Sequence, residues 1–261
     1  MGHCDSSNKN QLNNNSKLNN NNNIIPLKNQ NIVNINNSLI CNCIICSIYS
    51  EQNEEIKIAK LFLVNDCLIP FDLLDAQGDL TNDFNGWRMN SYNGPPGYLK
   101  KFIPPIGWTA IGLKVLNKYD NGDNTWLGTK NVPGEWYIGY HGIKFKNSIN
   151  GILTNRFLEG PNQSFEFHKN KNPLTYYNYF NCGRGVYFTP EINEANSYTD
   201  IIKYNQYNLR IVFMCRINPY KVRIADKQGA EYWLTNGGTD EVRPYRILFK
   251  FENNDIINSL K

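Results

Sequence analysis

Hydrophobic positions are sparse before residue 38 and recur in short, spaced runs after it. The stretches 13–15, 19–23 and 29–37 are dominated by asparagine and hold too few large apolar groups to offset the entropy of ordering them, so 1–37 is expected to be a disordered, Asn-rich tether. Beyond it, the run Leu39–Tyr49 is too short and too polar at Asn42 to span a bilayer and reads as a buried strand whose cysteines act as small hydrophobes. Ile56, Ala59, Lys60, Phe62 and Leu63 follow at helical spacing until Pro70 stops the pattern. Gly94-Pro95-Pro96-Gly97 marks a turn-rich connector, and Asn121-Gly122, between the apolar runs Trp108–Leu116 and Thr125–Leu127, signals a hairpin.

From about residue 135 the pattern changes to brief apolar runs separated by turns: Trp136–Tyr140, Gly185–Phe188, Leu209–Ile217, Lys221–Ile224, Glu231–Leu234 and Tyr245–Phe251. Such spacing predicts an α+β fold, a mostly antiparallel β core with a few helices. The expected organisation is a tether over 1–37, a lead-in region over 38–134 and a core domain over 135–253.

Composition narrows the function classes. The chain has 261 residues and a net charge of +4, with Lys and Arg scattered among Asp and Glu, so the basic stripe of a dedicated nucleic-acid binder is missing. Seven irregularly placed cysteines, and a start unlike a secretory signal, argue for a reducing, cytoplasmic compartment. Cys41, Cys43 and Cys46 lack the second ligand pair that a zinc site requires, and no metal is expected. Met1-Gly2-His3-Cys4-Asp5-Ser6 fits the pattern for myristoylation of Gly2, with Cys4 placed for a second acyl chain, although His3 is bulkier than usual beside the glycine. Two chains would tether the protein to the cytoplasmic face of a membrane where one would not.

Several residues stand where chemistry could occur. His141 closes a strand-like run just before Gly142, whose missing side chain lets a ligand approach its backbone. Tyr187 ends a glycine-flanked run, and Tyr198, eleven residues on, falls on a helix expected to start near Pro190, so two rings could sandwich a planar ligand. Glu231 starts an otherwise apolar strand, where a carboxylate needs a partner. Taken singly, each would be ordinary packing or a solvated edge.

In this order, the segments resemble the catalytic domain of the poly(ADP-ribose) polymerase family, the diphtheria-toxin-like ADP-ribosyltransferases with a His-Tyr-Glu motif. His141-Gly142 is similar to the family's HG, Gly183-Arg184-Gly185-Val186-Tyr187-Phe188 to its GKGIYF-type strand, Ala195–Tyr198 to the turn bearing its second tyrosine, and Glu231-Tyr232-Trp233-Leu234 to its EYIV-type strand. The resemblance covers roughly residues 136–251. It implies a split antiparallel core and NAD as co-substrate, with the nicotinamide amide held by the Gly142 backbone, its ring between Tyr187 and Tyr198, ribose hydroxyl groups on His141, and Glu231 stabilising the ribosyl cation as nicotinamide leaves.

Two positions depart from the pattern. Ile143 follows Gly142, and Ala195 precedes Tyr198, where the family often carries serine; the hydroxyl missing at Ala195 is worth about 1 kcal/mol of NAD binding. The segment Gly160–Asn181, with Phe165, His168, Tyr176, Tyr177 and Tyr179, either covers NAD as a donor loop or packs locally. The short link from Ile224 to Glu231 favours mono(ADP-ribosyl)ation of an acceptor protein. The alternatives are a weak or inactive NAD- or ADP-ribose-binding module and, less well supported, removal of an RNA 2′-phosphate.

Overall fold

Two eleven-residue strands organise the protein. They are β7, Tyr207–Ile217, and β10, Val242–Glu252, paired antiparallel along their length. The computed structural model describes residues 44–81, 91–158, 168–175 and 182–252. The tether, Gly2, Cys4, the cysteines at 41 and 43, and Phe165, Tyr176, Tyr177 and Tyr179 lie outside the described residues.

The elements in chain order are α1 (Ile44–Tyr49), α2 (Glu54–Asn65), β1 (Ser91–Asn93), β2 (Lys100–Phe102), β3 (Thr109–Gly112), β4 (Tyr137–Ile143) and α3 (Asn147–Thr154). After them come β5 (Val186–Phe188), α4 (Ile192–Ser197), β6 (Ile202–Tyr204), β7, β8 (Arg223–Lys227), β9 (Ala230–Thr235) and β10. The larger sheet runs β3-β10-β7-β4, with β6 paired to β7; a second runs β5-β9-β8; β1 and β2 form a hairpin. Every pairing among these strands is antiparallel. The mixed α and β composition, with antiparallel sheets and few helices, is the coarse architecture expected from the sequence.

Leu209, Ile211, Val212, Phe213, Met214, Cys215 and Ile217 of β7 are all buried, so this strand is covered on both faces, as a near-continuous apolar run requires. Pro244 sits in β10 where the register to β7 shifts, a bulge that spares the ladder the missing proline N–H. Helix α2 is capped by the Asn53 side chain, which accepts from the Ile56 N–H at 3.0 Å, and it buries Phe62 against Phe249 and Tyr204.

Two local expectations fail. Ile44–Tyr49 is a helix rather than a buried strand, and Cys46 is exposed. A short apolar run does not by itself discriminate the two periods. At Asn121-Gly122 there is no hairpin: the chain makes two 3-10 turns, Asp120–Gly122 and Thr125–Leu127, and only Thr109–Gly112 of the preceding run is a strand. Here side chains compete with the ladder: Asn124 Oδ1 accepts the Asn117 N–H at 2.9 Å, and Asp123 Oδ1 accepts the Thr125 N–H and hydroxyl at 2.8 and 2.6 Å. Conversely, Gly94–Gly97 forms the turn of the β1–β2 hairpin, with Gly94 and Gly97 at φ of 109° and 80°.

Candidate active site

The site is built where the edge of the larger sheet meets the smaller one. β4 is that edge, paired on one side to β7. On its other side Tyr140 exchanges two backbone hydrogen bonds with Thr189, at 2.8 and 3.0 Å, and the Ile138 N–H donates to Asn93 Oδ1 at 2.6 Å. Peptide groups alternate in direction along a strand, so Gly142 presents its N–H and C=O to this same outer side. Among the described residues neither group has a hydrogen-bond partner. A Cβ at Gly142 would stand 2.3 Å from the Ala195 carbonyl oxygen. The space freed by the missing side chain is therefore occupied by α4, and access to the Gly142 peptide runs along the strand edge.

His141 is oriented by the strand that follows. Its Nδ1 lies 2.7 Å from the Tyr187 carbonyl oxygen. A carbonyl only accepts, so Nδ1 carries the proton and Nε2 keeps its lone pair. Phe157 and Phe188 flank the ring at 5.1 and 5.3 Å between centroids. Burial lowers the imidazole pKa against the opposing effect of the Tyr187 bond, so the neutral ring is the favoured form. His141 and Tyr187 are thus brought together through a backbone contact.

Tyr187 sits opposite Leu234 and packs with Cys182, Ala225, Tyr232 and Leu234. Gly185 lets this strand close in, since a Cβ there would stand 2.6 Å from the Thr235 carbonyl oxygen. Tyr198 forms the C-cap of α4, just past the helix rather than on it, and is 47% exposed. Its hydroxyl lies 3.1 Å from that of Tyr232, and Tyr232 in turn donates to Glu194 Oε1. Burial and the Glu194 bond raise the Tyr232 pKa, so its one proton stays and goes to Glu194. Tyr198 must then donate to Tyr232, and the chain of three groups fixes the Tyr198 ring. Tyr187 and Tyr198 accordingly share a neighbour in Tyr232.

Glu231 is set by the β8–β9 turn. Gln228 and Gly229 both adopt positive φ, 51° and 87°, the geometry of a tight two-residue hairpin, which places Glu231 opposite Asp226. Its carboxylate accepts from Lys100 Nζ at 2.8 and 2.9 Å and from Trp233 Nε1 at 2.5 Å. The partner that a strand-edge carboxylate needs is therefore present, and it is a residue from the lead-in region. Side chains alternate along β9, so Glu231 shares a face with Trp233, toward β4, and Tyr232 and Leu234 share the other with Tyr187. On the β4 side, Trp233 lies 5.3 Å from Tyr137 between ring centroids, and burial together with the Glu231 charge raises the Tyr137 pKa. The structure thus groups Tyr187 with Tyr198 and, separately, Glu231 with Lys100 and β4.

Sequence reasoning did not find Lys100, Tyr232 or Glu194. The first lies 131 residues from its partner, and the other two carry residue types that read as surface or packing. A cavity of about 160 Å³ lies beyond Phe157, lined by Leu113, Ile152 and Val242 and rimmed by Lys114, Lys118 and Arg156. Phe157, one of its lining residues, packs edge-on against His141, so the cavity adjoins the site without containing Glu231, Tyr187 or Tyr198. Among the described residues no group of three or more His, Cys, Asp or Glu side chains could hold a metal ion, and no helix is long and apolar enough to cross a membrane. No protein-family model matches the chain, and no curated protein matches it.

Proposed function

We propose that the protein is an NAD-dependent ADP-ribosyltransferase and that its two sheets correspond to the split core of that enzyme class. The observation that carries the reading is the junction of β4, β5 and β9: a Gly142 peptide and a His141 Nε2 that have no hydrogen-bond partner among the described residues, and a carboxylate at Glu231 fixed by directed donors. The Gly142 N–H and C=O suit a carboxamide, which offers one acceptor and a complementary donor. His141 Nε2 can accept from a ribose hydroxyl.

As the bond between nicotinamide and C1′ of the ribose breaks, positive charge develops on the sugar. A preorganised carboxylate stabilises that charge more in the transition state than in the ground state. Nicotinamide leaves with the bonding electron pair, and an acceptor nucleophile on another protein forms the new bond to C1′. We assign the electrostatic role to Glu231, ring binding to Tyr187 and Tyr198, and orientation to His141 and Gly142. The short β8–β9 turn offers little surface to grip a polymer, which favours transfer of a single ADP-ribose.

One observation favours a second reading. Because Glu231 already holds Lys100 and Trp233, a weak or inactive module that binds NAD or ADP-ribose fits the same groups. Incubation with NAD labelled in the adenylate separates the two. Protein-linked label supports the transferase; binding without transfer or nicotinamide release supports the module, and neither binding nor transfer rejects both.

Membrane attachment through acylated Gly2 and Cys4 is part of the proposal. Gly2→Ala should move the protein to the soluble fraction, with Cys4→Ser doing so in part. A wild-type protein with no acyl mass on Gly2 would remove this element and leave the catalytic reading intact.

A further inference from the structure

We propose that Lys100 is a positioning residue for Glu231 and that the β1–β2 hairpin is a brace that sets the Glu231 strand against the His141 strand; the inference rests on the transferase reading of that site.

Three hydrogen bonds and one close packing contact fasten the hairpin, with the residue just past it, to β4. Asn93 Oδ1 accepts the Ile138 N–H at 2.6 Å while its Nδ2 donates to the Lys100 carbonyl at 3.3 Å. The Tyr137 hydroxyl donates to the Tyr98 carbonyl at 2.9 Å, and the Tyr140 hydroxyl, just past the hairpin, donates to the Ile103 carbonyl at 2.8 Å. Gly94 is pressed on the Tyr137 ring so closely that a Cβ there would lie 2.4 Å from Cε1. Asn93 is itself buried, so the polar link at Ile138 is a built joint and not a surface coincidence.

From this fixed base β2 reaches across to β9. Lys100 Nζ contacts both Glu231 oxygens, which pins the carboxylate in rotation as well as in place. Trp233 supplies a further donor on β9, Tyr137 faces the carboxylate from β4, and Asp226 lies opposite it on β8 with its own charge paired to Lys171. Lys100 forms an ion pair with Glu231, with Nζ 2.8 Å from Oε1. Its side chain and that of Glu231 are 28% and 30% exposed. A pair this open contributes little to global stability, so its geometric effect on the carboxylate is the larger consequence.

The test uses the full chain as wild type, Lys100→Met, Lys100→Arg, Glu231→Gln and the Lys100→Met/Glu231→Gln double variant. Nicotinamide release gives kcat and KM for NAD, and thermal unfolding gives Tm. Lys100→Met is expected to lower kcat on the order of tenfold with KM within about twofold, because a misaimed carboxylate loses transition-state stabilisation more than substrate binding. Lys100→Arg should recover most of that loss. An unchanged or raised kcat in Lys100→Met, or an arginine variant as poor as methionine, overturns the positioning role. If the wild type releases no nicotinamide, the transferase reading fails instead, and the Tm cycle still decides the pair: a small non-additive shift on the scale of an open ion pair supports the Lys100–Glu231 contact, and strictly additive shifts overturn it.

Discussion

Two long-range ion pairs, Arg243–Asp120 and Lys100–Glu231, have similar geometry and different surroundings. Arg243 donates to both Asp120 oxygens, at 2.6 and 2.8 Å, and to the Thr239 carbonyl at 2.7 Å; its guanidinium stacks 4.5, 4.8 and 4.2 Å from the ring centres of Tyr119, Trp126 and Trp136. Only 4% of that arginine side chain is exposed, against 28% for Lys100, although Asp120 itself is 48% exposed, so it is the cation and not the whole pair that is enclosed. Walled by aromatic rings, Arg243 locks the two 3-10 turns to β10. Lys100 and Glu231 are both part-exposed, so water can compete for their charges. The same kind of bond is a fastener where its cation is enclosed, and where both partners are part-exposed it has the freedom that the proposed positioning role of Lys100 requires.

The sharpest way to break this comparison is at Glu231. Glu231→Gln keeps the shape of the side chain and removes its charge, so transfer from labelled NAD should fall on the order of a hundredfold or more while NAD still binds. Its Tm should change little, since exposed pairs contribute about 0–1 kcal/mol. Full turnover in this variant would remove Glu231 from the chemistry. The converse substitution, Arg243→Leu, should cost about 2–4 kcal/mol in denaturant unfolding, through lost packing and lost cation–π contact. Nicotinamide release per folded molecule should stay near wild type. If instead Arg243→Leu unfolds no more easily than Glu231→Gln, enclosure does not separate the two pairs.

A smaller effect tests the tyrosine cluster beside Glu194. Tyr198→Ala should weaken a benzamide probe by about tenfold, whereas Tyr198→Phe keeps the stacking face and loses only the bond to Tyr232, worth about 1 kcal/mol or less. Calorimetric titration with benzamide checks both; an alanine variant that folds and binds normally would assign Tyr198 to packing alone.

The sheets were legible in the sequence because burial writes itself into composition. Val212 and Phe213 lie in a run that is apolar on both faces, and β9 and β10 announce themselves the same way. His141, Tyr187 and Glu231 could be picked out because each interrupts or ends such a run. Lys100 could not, since β2 is Lys100-Lys101-Phe102 and only its partner, 131 residues on, gives the first lysine meaning. The Asn121-Gly122 signal failed for a related reason: Arg243, from the far end of the chain, claims Asp120, while nearby side chains satisfy the backbone that a hairpin would have paired. Local propensity is a weak prior wherever a distant charge settles the competition.

The two regions also titrate in different windows, which gives the smallest prediction. Burial lowers the His141 pKa, and the Tyr187 carbonyl bond only partly opposes that shift. Above the ordinary histidine value of about 6.5 the ring is neutral in both folded and unfolded chains and has no effect on the pH dependence. Below it the unfolded chain takes up a proton that the folded one resists, so stability falls as the pH drops from about 6.5 toward the folded-state value. Asp120 behaves differently. The Arg243 hydrogen bond lowers its pKa, so its contribution is full above the ordinary value of about 3.9 and is lost only as the pH falls further, through the folded-state value. Denaturant midpoints of wild type and His141→Gln should therefore draw together between about pH 7 and 5, as the wild type alone loses stability. Those of wild type and Asp120→Asn should keep a constant separation over that range and converge only in stronger acid. A constant gap for His141→Gln would mean that its ring is open to protons in the folded protein, and the enclosed, Nδ1-protonated form assigned to the site would have to be abandoned.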